Sequence, residues 1–225
     1  MSAVDDRVGE ALRTLEAGGS TRFRNDLERR YGIVTKHAYG TRMAGIKSVA
    51  KRLGRDHELA RALWSTGVYE ARLLASLVGE PARVTPDEMD AWCADFDNWA
   101  VTDTICFNLY DRTGPATVKV AEWARLEGEF QRRAAFSLLA AMAIHRKDLP
   151  DEWFVRQLPL VDAAATDSRN FVKKGVSWAL RSYARRRDPK VRLAAMDLAR
   201  RLAESDDRAR RWVGKDALKG LAARE

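Results

Sequence analysis

The strongest constraint on the fold is the spacing of apolar residues, which recurs with the period of an α-helix along most of the chain. Two clear examples are the segments at 59–78 (LARALWSTGVYEARLLASLV) and 130–149 (FQRRAAFSLLAAMAIHRKDL). In both, apolar side chains return every three or four residues and so share one helix face. Alternating strand patterns rich in Val, Ile and Thr are absent. The sequence therefore predicts an all-α protein.

Start and stop signals divide this pattern into short helices. In the sequence TPDE, Thr85 is a helix cap, Pro86 suits the first helical position, and Glu88 is placed to complete a capping box. Further boundaries are expected at three proline dipeptides, Gly114-Pro115, Leu149-Pro150 and Asp188-Pro189. Segments of about 10–18 residues predict about ten to thirteen helices.

Pairs of such helices measure about 35–45 residues, which is the size of a HEAT-type repeat. Stacked repeats form an α-solenoid, which is curved and presents one long concave face. No Pro- or Ser-rich linker interrupts the chain. We therefore predict one HEAT-like domain over residues 1–225, with a basic concave face.

Length and composition exclude several classes of protein. A chain of 225 residues, 46% of them hydrophobic, is long enough to bury a substantial core. No apolar run reaches the length that spans a membrane, and no secretory signal is recognised at the N-terminus. The two cysteines, Cys93 and Cys106, are too few for a disulfide framework or a zinc cage and are expected to pack in the core. We expect a cytoplasmic protein from a reducing compartment.

Positive charge is concentrated near the end of the chain. From Phe171 onward there are 16 Lys and Arg against 7 Asp and Glu, whereas the preceding residues hold 24 against 25. A localised basic region of this kind is typical of nucleic-acid binding. The alternative is an Arg-rich helix face that is simply solvated.

The motifs of several enzyme classes are missing. The sequence has no phosphate-binding loop, no dinucleotide fingerprint, and no metalloprotease spacing among His37, His57 and His145. We therefore do not expect a zinc-dependent or His-dependent hydrolase. The residues left to carry chemistry are carboxylates, arginines and seven tryptophans.

Two segments combine these residue types near the middle of the chain. Within 90–112, Trp99 and Asp103 are four residues apart and share a helix face, after a cap at Asp97 or Asn98. The alternative is that Trp99 packs in the core and Asp103 lies at its solvated rim. Within 129–144, Arg132 and Arg133 precede a strongly apolar stretch, so one arginine is expected to leave the core stripe for a groove or for a surface ion pair.

A third segment, at 167–189, interleaves aromatic and basic side chains. Its aromatic residues are Phe171, Trp178 and Tyr183. Cations suit phosphates and aromatic faces suit sugars or bases, although an amphipathic helix with a solvated basic face gives the same pattern. With Arg132, the residues that we expect to contact DNA are Arg169, Lys173, Lys174, Arg181, Arg185, Arg186 and Arg187.

These segments resemble the HEAT-like DNA alkylation repair glycosylases, the AlkD-like family. The resemblance rests on NWAVTD (98–103), RRAAF (132–136) and FVKKGVSWALRSYAR (171–185), in that order. The segment at 59–78 also resembles the second repeat of the family, and the similarity extends from Tyr31 to Trp212. The segment RRYGIVTKHAYGTRM (29–43) matches only loosely, and a turn between two helices is favoured there over a functional loop.

The resemblance implies a set of site residues. The tryptophan and aspartate of the family fall on Trp99 and Asp103, its arginine on Arg133 with Arg132 as the alternative, and its second tryptophan on Trp178. It implies excision of N3- and N7-alkylated purines from double-stranded DNA without a metal or organic cofactor. A monomer is expected to be sufficient.

The chemistry of such lesions is compatible with these residue types. An N3- or N7-alkylpurine is already cationic, so its departure requires no general acid. A carboxylate near the anomeric carbon stabilises the developing oxocarbenium charge and orients water, which is the role expected of Asp103. Indole faces attract cations, so Trp99 and Trp178 are expected to flank the lesion, while Arg133 holds a phosphate.

Two other functions remain open at this point. One is a protein of the same fold that recognises damaged or distorted DNA without breaking a bond. The other is a HEAT-repeat scaffold whose basic C-terminal region meets an acidic protein partner.

Overall fold

The computed structural model describes residues 3–222, and it is helical throughout with no β-strand in that range. The all-α prediction is confirmed. The α-helices are α1 Ala3–Ala17, α2 Thr21–Tyr31, α3 Met43–Leu53, α4 His57–Ser65, α5 Tyr69–Val78, α6 Pro86–Ala94, α7 Trp99–Asn108, α8 Ala116–Trp123, α9 Glu129–His145, α10 Asp151–Arg156, α11 Leu158–Ala164, α12 Asn170–Ser182, α13 Pro189–Ala203 and α14 Arg208–Ala222. Three short 3₁₀ helices lie at Pro81–Arg83, Tyr110–Arg112 and Tyr183–Arg185.

Fourteen helices within the described range are one more than the upper end of the expectation. The extra boundary lies at Gln157, which ends α10 and directly precedes α11. Pro159 follows in the first turn of α11, where its missing N–H group costs no helical hydrogen bond. A proline two residues further from a helix start would have interrupted the ladder instead.

The predicted caps form at the expected residues. The side chains of Thr85, Asn98 and Asp188 each accept a hydrogen bond from the first turn of the helix that follows. Glu88 departs from the capping-box expectation, because its buried carboxylate lies 3.2 Å from His57 Nε2 and 3.2 Å from Arg61 Nε. The side chain of Glu88 therefore joins α6 to α4 within the core.

The residues up to Thr113 form one compact unit around α5. This helix contacts α3, α4 and α7, and Leu74 at its centre is fully buried. Beside it, the indole rings of Trp64 and Trp92 stack with centroids 4.4 Å apart. Cys93 and Cys106 are also buried, as expected for packing residues.

The residues from Gly114 form a second compact unit, in which α12 lies between α9 and α14. Successive contacts join α12 to α14 at Lys173 with Trp212, Ser177 with Asp216, and Arg181 with Gly220. Each contact advances by four residues on both helices, so the two helices run parallel with a sequence offset of 39 residues. This offset lies within the predicted repeat length and is typical of equivalent helices in neighbouring HEAT-like repeats.

The prediction of a single domain over residues 1–225 stays a prediction, as do the curvature and the basic concave face. None of the helices between residues 3 and 222 has both the length and the apolar character needed to cross a bilayer.

Candidate nucleic-acid interface

The first candidate pair lies at the start of α7. Asn98 caps this helix, since its side-chain oxygen accepts hydrogen bonds from the N–H groups of Ala100 and Val101. Trp99 and Asp103 follow one turn apart, and both side chains are partly exposed. The indole Nε1 of Trp99 donates to the carbonyl oxygen of Tyr31 at 2.8 Å. This bond fixes the orientation of the indole through its edge.

The carbonyl of Tyr31 is positioned by the end of α2. Gly32 adopts a left-handed conformation with φ of 61°, and its N–H group donates back to the last turn of the helix. The N–H group of Ile33 closes the same turn through the carbonyl of Leu27 at 2.8 Å. The segment that resembled the family only loosely is thus a capped helix end and a connection to α3.

A buried carboxylate holds the far end of that connection. Glu70 on α5 has no solvent exposure, and it accepts hydrogen bonds from the backbone N–H groups of Tyr39, Gly40 and Thr41 at 3.0, 2.7 and 3.2 Å. Glu70 was not among the predicted site residues. The sequence did contain a sign of this role, because Glu70 is a lone carboxylate in the apolar face of α5. Burying a carboxylate is costly unless it is hydrogen-bonded.

The arginine of the RRAAF motif lies on α9 in the second unit. Arg133 is only 6% exposed, and its Nη1 atom donates to the carbonyl oxygen of Phe171 at 2.6 Å. Its side chain also packs against Gly175, where an added Cβ would lie 3.4 Å from Arg133 Cγ. The guanidinium is therefore held by the fold rather than extended into solvent.

The neighbouring Arg132 has a different environment. Its Nη1 atom donates to Asp167 at 3.0 Å and its Nε atom to the carbonyl oxygen of Ala124 at 3.0 Å. Arg169 pairs with the same carboxylate through Nε at 2.9 Å. Burial raises the pKa of Asp167, but the hydrogen bonds from Arg169 and Arg132 outweigh it and hold the pKa at about 2. Two of the predicted DNA contacts thus share one carboxylate that organises the start of α12.

Trp178 lines an open cleft of about 400 Å³ on α12. The residues around it are Ile144, Trp178, Arg181, Ser182, Arg185 and Gly220. Arg181 lies 3.6 Å from Asp216, whose Oδ2 atom also accepts a hydrogen bond from Ser177 at 2.6 Å. Gly220 leaves room for this arginine, because a Cβ there would lie 2.3 Å from Arg181 Cδ. Trp178, Arg181 and Arg185 are therefore brought together around one cavity.

The two lysines of the FVKK sequence have different surroundings. Lys173 lies over the indole of Trp212, with Nζ 4.9 Å from the ring centroid, while Lys174 is exposed. Trp212 was not among the predicted site residues. Four of the seven tryptophans are only partly buried: Trp99, Trp153, Trp178 and Trp212. Both tryptophans predicted for the site, Trp99 and Trp178, are among them.

The three consecutive arginines after α12 have different environments. Arg186 is almost fully buried: its Nε atom donates to Asp151, Nη1 to the carbonyl of Arg146 at 2.7 Å, and Nη2 to the carbonyl of Leu149 at 2.8 Å. Its guanidinium also lies 4.2 Å from the ring centroid of Phe154. Each nitrogen of this side chain donates a hydrogen bond within the second unit, so Arg186 is held inside the fold and not at the candidate interface.

Its neighbours Arg185 and Arg187 are exposed. Burial lowers the pKa of Lys147, and the surrounding charges of Arg186, Arg187 and Arg185 lower it further. The Nζ atom of Lys147 donates to the carbonyl of Arg185 at 3.0 Å. Positive charge is thus concentrated at the C-terminal end of α12, as a phosphate-binding surface requires.

The candidate residues are divided between the two units. Trp99 and Asp103 belong to the first, whereas Arg133, Trp178 and the predicted DNA contacts belong to the second. The expectation that Trp99 and Trp178 flank one lesion stays a prediction. Among residues 3–222, no three His, Cys, Asp or Glu side chains lie close enough together to hold a metal ion.

The chain matches the DNA alkylation repair enzyme family over residues 12–221. The chain belongs to this family. Membership confirms the resemblance that the three motifs indicated, and it extends over the whole series of helices from α1 to α14.

A solved structure supports the fold of this DNA alkylation repair family member. It is described as a new family of proteins related to the HEAT-like repeat DNA glycosylases with affinity for branched DNA structures. The two chains are 18% identical, the match covers 95% of each, and the TM-score is 0.78. A comparison with curated proteins returned no match.

Proposed function

We propose that this protein is a DNA glycosylase that excises N3- and N7-alkylated purines from duplex DNA. The observation that carries the proposal is the pair at the start of α7, in a chain of the DNA alkylation repair family. A partly exposed carboxylate, Asp103, lies one helical turn from an indole, Trp99, that is fixed through its N–H group to the carbonyl of Tyr31.

The proposed reaction uses the charge of the lesion itself. The bond between C1′ and the purine nitrogen breaks, and its electron pair neutralises the cationic base. Asp103 stabilises the positive charge that develops on the sugar and orients a water molecule toward C1′. The water oxygen then bonds to C1′ and its proton passes to the carboxylate or to solvent. No general acid is required, since the leaving base departs as a neutral molecule.

The second unit would supply the contacts with the DNA backbone. Arg133 is held by the carbonyl of Phe171 and would position the first turn of α12, which carries Lys173 and Lys174. Trp178, Arg181 and Arg185 surround one cleft and combine an aromatic face with two cations. Such a surface suits a sugar–phosphate backbone.

The test is a single-turnover assay on duplex DNA that carries one 7-methylguanine, with wild-type protein and the Asp103→Asn variant. We expect the variant to lose at least about 100-fold in excision rate while its DNA affinity changes less than about twofold, because only the developing charge needs the carboxylate. Asp87→Asn removes an exposed carboxylate in the first turn of α6 and is the matched control, with no expected effect. Equal excision by wild type and Asp103→Asn would overturn the assignment.

A second candidate function is binding of branched DNA without excision. It is favoured by the solved relative, whose description gives an affinity for branched DNA structures. Tighter binding to a four-way junction than to a linear duplex of equal length, with no base release, would select this function. Absence of binding to either DNA would exclude both candidates and leave a protein–protein scaffold.

A further inference from the structure

A second cleft of the second unit has no role in the proposed excision site. It lies where the start of α14 packs beside the start of α12, and it has a volume of about 270 Å³. The side chains that line it are Ser168, Lys173, Arg208, Ala209 and Trp212. This set contains two cations, a hydroxyl and an indole, and no carboxylate.

The positions of these side chains are set by the parallel helices. Lys173 on α12 has its Nζ atom 4.9 Å from the ring centroid of Trp212 on α14, and Arg208 lies one turn before Trp212 on the same helix. Arg208 is exposed, and Trp212 is partly exposed. A ligand in the cleft therefore meets two positive charges beside an aromatic surface.

The size and the charge of the cleft narrow the class of ligand. Pockets for whole cofactors or drug-sized molecules measure about 300–1,000 Å³, which exceeds this volume. Two cations and a hydroxyl match the oxygens of a single phosphate group. An indole beside them suits the sugar or base attached to that phosphate, since aromatic stacking is the sequence-tolerant contact of strand-binding proteins.

We propose that this cleft, named here the Trp212 cleft, binds the backbone of a DNA strand at a point separate from the cleft around Trp178. Lys173 and Arg208 hold one phosphate, Ser168 donates to it, and Trp212 packs against the adjoining sugar or base. The proposal rests on the DNA binding of the proposed function and adds a second point of attachment to it.

The Trp212 cleft and the cleft around Trp178 lie at two positions along α12. Lys173 in the Trp212 cleft and Arg181 in the Trp178 cleft are both on α12, eight residues apart. At the rise of an α-helix this separation is about 12 Å along the axis. The second unit would thus hold DNA at two points along one helix.

The test is the salt dependence of binding to an unmodified duplex and to a branched junction. We expect the double variant Lys173→Gln/Arg208→Gln to lower the magnitude of the slope of log affinity against log salt by about one, because the contact with one phosphate is lost. The variant Arg200→Gln/Arg201→Gln removes the same charge from two exposed positions on α13 and is expected to leave the slope unchanged. Thermal unfolding of each variant establishes that it is folded.

The aromatic contact is tested separately with Trp212→Phe. We expect DNA to quench tryptophan fluorescence in the wild type and to quench it less in this variant, whereas inorganic phosphate alone at millimolar concentration has no effect. An unchanged slope for the cleft variant, or an equal loss in the α13 control, would overturn the inference while leaving the proposed function intact. Quenching by phosphate alone would identify a free-anion site instead and would also overturn it. Failure of the wild type to bind any DNA would remove the proposed function as well.

Discussion

At the scale of single residues, two buried carboxylates hold irregular segments of backbone in place. Glu70 accepts three backbone N–H groups at the end of the connection between α2 and α3. Asp167 binds both Arg132 and Arg169 ahead of α12. Glu70 holds the connection whose first residues position the carbonyl that binds Trp99, and Asp167 holds two candidate DNA contacts. The effect of both carboxylates on function therefore passes through geometry rather than through chemistry.

The replacement Asp167→Asn tests this role. The folded-state pKa of about 2 lies below the ordinary value of 3.8, which corresponds to about 2 kcal/mol of stability. This contribution is complete above the ordinary pKa and is lost as the pH falls from about 4 through about 2. We expect urea unfolding at pH 7 to show a loss of about 2 kcal/mol in the variant, and the difference from wild type to shrink toward pH 2.

The control for that experiment is Asp197→Asn, which removes an exposed carboxylate paired with Arg200 on α13. An exposed pair of this kind contributes well under 1 kcal/mol. A loss at pH 7 no larger than that of the control would show that the two arginines do not depend on Asp167.

The identities of the site residues were only partly readable from the sequence. Arg185, Arg186 and Arg187 are chemically identical neighbours, and nothing in the sequence separates them. Their fates differ because the 3₁₀ turn at the end of α12 directs only Arg186 inward, toward Asp151 and the ring of Phe154. The direction of a side chain after a turn is a tertiary property, and single-sequence reasoning has no access to it.

At the scale of helices, the close crossing of α13 and α14 depends on a glycine. A Cβ on Gly214 would lie 2.3 Å from the backbone nitrogen of Ala203 and 2.5 Å from the carbonyl oxygen of Ala199. These are backbone atoms of α13, so they have no side-chain freedom with which to yield. The packing of α14, and with it the position of Trp212, therefore requires a residue without a side chain.

We expect Gly214→Ala to destabilise the protein by about 1–3 kcal/mol despite the better helix propensity of alanine. The propensity gain is about 1 kcal/mol, and the overpacking cost exceeds it because two helices must separate. Urea unfolding followed by circular dichroism measures the difference. Gly114→Ala is the control, because no atom lies within 4 Å of its added Cβ. Equal stability of the two variants would contradict the close crossing.

The helices themselves were largely predictable. Caps at Thr85, Asn98 and Asp188 depend on residues within one turn, so local sequence is sufficient to place them. The side chain of Glu88 was misassigned for the opposite reason: its partners His57 and Arg61 lie on α4, about 30 residues earlier in the chain. Local rules predicted where the helix starts, and tertiary packing decided where the carboxylate went.

At the scale of the whole molecule, helical periodicity predicted the fold, and three short motifs predicted the family. The helical period and the repeat length indicated HEAT-like repeats. The 39-residue offset between α12 and α14 agrees with that repeat length. The Trp212 cleft could not be predicted, because Lys173 and Trp212 become neighbours only when the two helices pack in parallel. The family match over residues 12–221 includes both the helices and the three motifs. DNA repair is therefore the central functional hypothesis.

The most direct test of that claim is the release of free base by the wild-type protein in the presence of a metal chelator. Two duplexes of identical sequence are compared, one with a single 7-methylguanine and one with guanine at the same position. The account predicts release of 7-methylguanine and no release of guanine, because only the cationic base leaves without a general acid. Salt-sensitive binding to both duplexes with no release from either would contradict a glycosylase and leave a protein that binds DNA without excising bases.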